Sequence, residues 1–217
     1  ISSVHTYENK VAASRSVFKL RPVSKEEVKT FGLYDYPSMS GSWNLPSILG
    51  SDVPGFSQAE RQLSILNAKL GASKEVRIWL LVFKEKPLDA AYAQQNYWIN
   101  GNMNEFVICV GVDQNNKVQW GHAFSWTDNS SLIVEARNAV DAQVDKRVEL
   151  DQIIDWAEQN IPQKWTRKDF EKDFDYLSVE PPLWAIILTF VLTLGLNFGI
   201  SFWIVGNEFM EDKRAIA

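Results

Sequence analysis

The chain has one cysteine, two histidines and no run of basic residues in 217 positions, and each scarcity removes a kind of chemistry. Cys109 has no second cysteine for an internal disulfide and lies inside the apolar run EFVICVGV, where a buried small hydrophobe is expected. His5 and His122 stand more than a hundred residues apart, with no HExxH pattern and no cysteine–histidine spacing, which argues against zinc. With 22 basic against 27 acidic residues the net charge is -5, and nothing in the sequence forms the basic patch that would neutralise phosphates. Nucleic acid is therefore not an expected partner. The patterns GxSxG, GxxxxGK[ST] and GxGxxG are also missing, so serine-hydrolase, P-loop and dinucleotide-binding chemistries lack their signals.

What the chain does have is a long charge-free run. Leu183 to Val205 reads LWAIILTFVLTLGLNFGISFWIV, 23 residues that reach about 34 Å as a helix, against a hydrocarbon thickness of about 30 Å. A membrane-spanning helix is expected there. Pro181 and Pro182 precede it, and Trp184 and Trp203 stand near opposite ends, as interfacial anchors do. Within it, Gly195 and Gly199 make a small-xxx-small notch that lets another helix approach, and Asn197 brings an amide that hydrocarbon does not satisfy. Contacts with other integral membrane subunits are expected at these residues. Asn197 lies on a different helical face from the glycines, so a second contact, or a bound lipid or pigment, is the alternative there. Lys164, Arg167, Lys168 and Lys172 before the span outnumber Lys213 and Arg214 after it, which favours a cytoplasmic main domain. The interleaved acids Asp169, Glu171, Asp173 and Asp175, and a first residue that is Ile1 rather than methionine, fit export instead. A periplasmic, lumenal or extracellular main domain is the expectation.

The soluble part reads as an irregular extension over residues 1–55, an α/β domain over 56–160, a juxtamembrane segment over 161–182, the span over 183–205 and a short tail over 206–217. Ser24 with Glu27 makes a capping box and Val23 with Val28 a hydrophobic staple, so a short helix is expected from Lys25 to about Thr30, ended by Gly32. The aromatic loop that follows holds Tyr34, Tyr36 and Trp43, which either pack on the domain's own sheet or face a partner. Ser57 and Glu60 suggest a second capping box, Leu63, Leu66 and Leu70 mark one helical face, and Gly71 is placed to stop that helix. VRIWLLVF (Val76 to Phe83) and EFVICVGV (Glu105 to Val112) read as strands buried on both faces, with the amphipathic helix LDAAYAQQNYWI between them. The turn DQNNK leads into VQWGHAFSW, where Val118, Trp120, His122, Phe124 and Trp126 alternate onto one face. Thr127 or Asp128 is placed to cap the next of two helices, Leu132 to Val144 and Val148 to Asn160. The whole implies a small mixed sheet sandwiched by helices.

That order of elements, with VRIWLLVF, EFVICVGVD and KVQWGHAFSW as its strands and a carboxyl-terminal span, resembles the TPM domain family over about residues 56–160. The family takes its name from a thylakoid lumen protein, a photosystem II repair protein and an acetylcholine receptor modulator. The resemblance implies an exported domain held at a membrane as an auxiliary factor. Of the family's acidic amino-terminal motif this chain keeps only Asp52 and Glu60, so the metal binding and phosphatase activity reported for some members do not carry over residue by residue. The polar stretch NGNMNE (Asn100 to Glu105) reads either as a helix stop followed by turn residues or as oxygen ligands for a hard cation. Glu105 and Asp113 lie roughly 26 Å apart along one strand and cannot share an ion.

The expectation is a non-catalytic accessory, bridging or assembly subunit of a larger membrane complex, photosynthetic or respiratory, with no metal and no cofactor beyond a lipid or pigment at the span. The alternative is a membrane-tethered phosphatase or other hydrolase using Asp52, Glu105 or Asp113, with or without a divalent ion.

Overall fold

Helix α1 (Lys25–Phe31) begins as its sequence dictates. The Ser24 hydroxyl accepts the Glu27 amide at 3.1 Å, the Glu27 carboxylate accepts the Ser24 amide at 3.0 Å, and Gly32 closes the helix in the left-handed conformation, φ 63°. The computed structural model describes residues 21–37, 45–50, 53–99, 101, 104–168 and 181–215, with side chains up to Gly206. Two compact units divide it, Ile1–Phe170 and Glu171–Ala217.

The first unit is built on a four-stranded mixed sheet of order β1-β2-β3-β4: β1 (Ile48–Leu49), β2 (Arg77–Lys84), β3 (Glu105–Val112) and β4 (Val118–Ser125). The first three strands are parallel and β4 is antiparallel to β3. β3 is buried along its whole length and β2 in all but its end residues, which is why both read as continuous apolar runs. Helices α2 (Phe56–Lys74), α4 (Ser130–Asp141) and α5 (Leu150–Lys164) cover one face, packing Leu63, Leu132 and Ile153 on Ile78, Leu80, Ile108 and Val110. Helix α3 (Asp89–Tyr97) covers the other through Ala90, Ala91 and Ala93, with Leu33 and the edges of α1, over Trp79, Leu81, Val107, Cys109 and Phe124.

The strands advance in one direction across the sheet, yet β1 crosses to β2 through α2 on one face and β2 crosses to β3 through α3 on the other. The two crossovers therefore have opposite hands, against the strong right-handed rule for such units.

Several local expectations are corrected. α2 does not start with a Ser57–Glu60 box: Gly55, in the left-handed conformation, occupies its cap without a side-chain bond. The Glu60 carboxylate instead accepts the amides of Ser47 and Ile48 at 2.8 and 2.7 Å and the Ser64 hydroxyl at 3.0 Å, anchoring β1. Beside it, Asn67 donates to the Ile78 carbonyl at 2.9 Å and accepts the Ile78 amide at 2.7 Å, standing in for the strand that β1 is too short to supply. Gly71 does not stop α2, which runs to Lys74 and closes at Glu75 with φ 55°. α4 starts after Asn129, and Thr127 contributes by accepting the Asn129 amide at 3.2 Å. α5 begins two residues later than expected and reaches Lys164 through Pro162. A bulge also sets Val112 opposite Val118 while Gly111 faces Trp120, so Gln119 is the extra residue and Val118 turns to the opposite core from Trp120 and Phe124. α1 and β1, both before residue 56, join the two cores through Val28, Phe31 and Ile48.

Among the described residues the second unit holds one helix, α6 (Leu183–Ala215). Its stretch Leu183–Gly206 is long and apolar enough to cross a membrane, 24 residues of mean hydropathy 2.1 with none of its side chains buried.

Candidate functional site

At the amino ends of β2 and β3 the register sets Arg77 beside Glu105. Glu105 is only 3% exposed, and its carboxylate accepts the Trp79 indole N–H at 2.9 Å and the Tyr36 hydroxyl. The Arg77 guanidinium lies 4.3 Å over the Trp79 ring and donates to the carbonyls of Leu45 and Pro46 at 3.3 and 3.2 Å. Burial lowers the Arg77 pKa, with the charges of Glu105, Tyr36 and Glu60 opposing it. Tyr36, Trp79 and Trp98 meet edge to face at 5.3 to 6.2 Å. Glu105 is thus held by an indole and a phenol within a packed aromatic nest. Asn104 brings both amide atoms into the interior without a hydrogen-bond partner. Asn100 and Asn102 lie outside the described residues. Among the described residues no group of three His, Cys, Asp or Glu side chains is placed to hold a metal ion.

The residues of the aromatic loop divide. Tyr34 turns inward: its hydroxyl donates to the Val82 carbonyl at 2.5 Å, its ring packs 5.1 Å from Phe83, and Gln94 clamps its backbone, accepting its amide at 2.8 Å and donating to its carbonyl at 3.0 Å. Burial pushes its phenol up to about 12, with the nearby Cys109 adding to the shift. Tyr36 keeps 38% of its surface exposed. Trp43 lies outside the described residues.

In the middle of the sheet, Cys109 and His122 stand directly opposite in the β3–β4 ladder, a pairing that sequence alone did not reveal. They do not form a thiolate pair. Cys109 is fully buried, which raises its thiol pKa, and His122, against the Tyr92 ring at 4.7 Å and 2.9 Å from the Gln95 side-chain oxygen, is pushed down to about 4 by burial and then by Arg137. Both groups stay neutral at physiological pH.

At the carboxyl ends of β2 and β3 a cleft of about 620 Å³ opens between the turn Glu85–Pro87 and the β3–β4 hairpin. Asp113 holds that hairpin by accepting the amides of Asn115 and Lys117, both at 2.8 Å. Glu105 and Asp113 therefore sit at opposite ends of β3, each serving its own local structure, and Asp52 lies outside the described residues. Glu105 and Asp113 are thus not gathered into one site.

The remaining candidates lie on α6. Val191, Leu192, Gly195, Leu196, Gly199, Ile200 and Trp203 line a shallow apolar groove of about 570 Å³, and a side chain added at either glycine meets nothing within 4 Å. The Asn197 amide donates to the Thr193 carbonyl at 2.8 Å, as the Thr189 and Thr193 hydroxyls bond one turn back at 2.8 Å each. One of its two N–H donors is thus used inside the helix. Trp184 and Trp203 are both exposed and about 28 Å apart along the axis, close to a hydrocarbon thickness. No protein-family model, no curated protein and no solved structure matches the chain.

Proposed function

We propose that this chain is a single-pass, TPM-like accessory subunit of a larger membrane complex, joined to integral membrane partners through α6 and non-catalytic in its α/β unit. The observation that carries the reading is the helix itself: a 24-residue apolar stretch with no side chain buried, carrying a groove over Gly195 and Gly199. Lipid covers such a helix without help, but a glycine-floored groove lets a neighbouring backbone approach closely, and that packing is what holds helices together in a bilayer. Trp184 and Trp203 fix the depth of the span, and the soluble unit stands on the exported side. The photosynthetic or respiratory character of the complex belongs to the same proposal, as does a lipid or pigment beside Asn197.

The test is purification of the tagged full chain in mild detergent, with partners identified and counted by mass spectrometry. Co-purification at fixed stoichiometry with one membrane complex is expected, and Gly195→Ile with Gly199→Ile is expected to release that complex while leaving the protein in the membrane. Recovery of the native chain as a stable monomer would refute the reading.

A further inference from the structure

We propose that the cleft at the carboxyl ends of β2 and β3 binds the guanidinium group of an arginine side chain. Sheets with parallel strands offer ligands a crevice at this end, where successive strands depart in different directions. Here β2 leads through Pro87 into α3, while β3 turns back at once into β4. The opening between them, about 620 Å³, holds more than one side chain and falls within the range of small-ligand sites.

One wall is the Trp120 indole, and it is set before any ligand arrives. The ring rests on Gly111, where a Cβ would stand 2.0 Å from it. Its N–H donates to the Lys86 carbonyl at 2.9 Å, and Phe83 packs at 5.8 Å. A fixed aromatic wall favours a flat cation, because no ring motion has to be frozen on binding and a guanidinium stacks on an indole face.

The charge of the cleft points the same way. Lys86 lines the cleft too, but its ammonium is engaged by the Thr30 carbonyl at the end of α1 at 2.7 Å. Glu85 donates its amide to the Val112 carbonyl at 2.8 Å, which brings it alongside Asp113 across the parallel ladder. Neither acid joins any of the ion pairs among the described residues. Asp113 has committed one oxygen to the hairpin amides, leaving the other for a ligand. Two carboxylates beside a rigid indole fit the donor fork and the flat face of arginine, whereas a hard metal ion would need several more oxygens. The inference stands apart from the membrane-subunit reading, since a small probe on the purified chain tests it whatever α6 contacts.

The test uses the ¹⁵N-labelled full chain in detergent micelles, titrated with N-acetylarginine amide and, separately, with its uncharged citrulline counterpart. The Trp120 indole resonance, assigned with Trp120→Phe, is expected to shift saturably with the arginine probe at a dissociation constant of the order of 1 mM, and not with citrulline. Glu85→Gln and Asp113→Asn are each expected to weaken binding about five-fold, the worth of one partly exposed charge pair. Asp113→Asn keeps the side-chain oxygen that the hairpin amides need, and Glu85→Gln decides the matter if Asp113→Asn disturbs the turn. Absence of a saturable shift, equal binding of citrulline, or undiminished affinity in Glu85→Gln overturns the proposal, as does an equal response to calcium ions alone.

Discussion

His122 shows how much a single position depends on neighbours far away in sequence. Alternation along VQWGHAFSW indicates which face it occupies, but its neutral state comes from burial against α3, whose Tyr92 and Gln95 enclose the ring. The folded imidazole titrates near 4 against an ordinary 6.5, so between those values the unfolded chain binds the extra proton first. Stability from this group is complete above pH 6.5 and is lost as the pH falls toward 4, by an amount of the order of 3 kcal/mol. His122→Gln removes the titration, so urea midpoints measured above and below this window are expected to fall further in the native chain than in the variant. Equal falls would show that the ring takes up its proton as readily in the fold as in the unfolded chain. Glu105 teaches a related lesson. A glutamate opening a strand reads as exposed, and nothing local announces that Tyr36 and Trp79, 69 and 26 residues away, close over it.

At the scale of elements, legibility followed the strength of the local pattern. α1 was readable because both halves of its capping box lie within four residues, and β2 and β3 because strands buried on two faces need unbroken apolar runs. β1 was not, because two residues carry no period and their pairing with Leu80 and Leu81 is set from across the chain. The Ser57–Glu60 spacing misled for a physical reason: a carboxylate on the first turns of α2 meets stronger demand from the amides of Ser47 and Ile48, at the start of β1, than from its own helix. Glu60→Ala leaves the Ser47 and Ile48 amides without that acceptor and is expected to cost roughly 2 kcal/mol. Hydrogen exchange should locate the loss, with the Ile48 amide released and the β3 amides slowed as before. Unchanged protection at Ile48 would mean that β1 is held by packing alone. The bulge at Gln119 was equally hidden, because one extra residue does not interrupt an alternating pattern and only pairing with β3 reveals the slip.

At the scale of the molecule there are two compact units, and the stretch of the second that is long and apolar enough to cross a membrane is legible in the sequence because hydropathy is a sum over many residues. A chain ending at Phe170, the boundary of the first unit, is expected to stay in the aqueous phase of a detergent cloud-point separation with unchanged near-ultraviolet dichroism, while the full chain enters the detergent phase. Entry of the shortened chain into detergent would place a second membrane-binding surface on the α/β unit. The burial of Cys109 has one more consequence. As the chain's single thiol, fully enclosed at the centre of a strand that is buried throughout, it meets a labelling reagent only when the sheet opens. Its alkylation rate under native conditions, divided by the rate of a free thiol, then gives the opening equilibrium of the whole α/β unit. The protein thus carries an intrinsic clock for its own unfolding that runs as well in a lipid vesicle, where chemical denaturation is hard to interpret, as in solution.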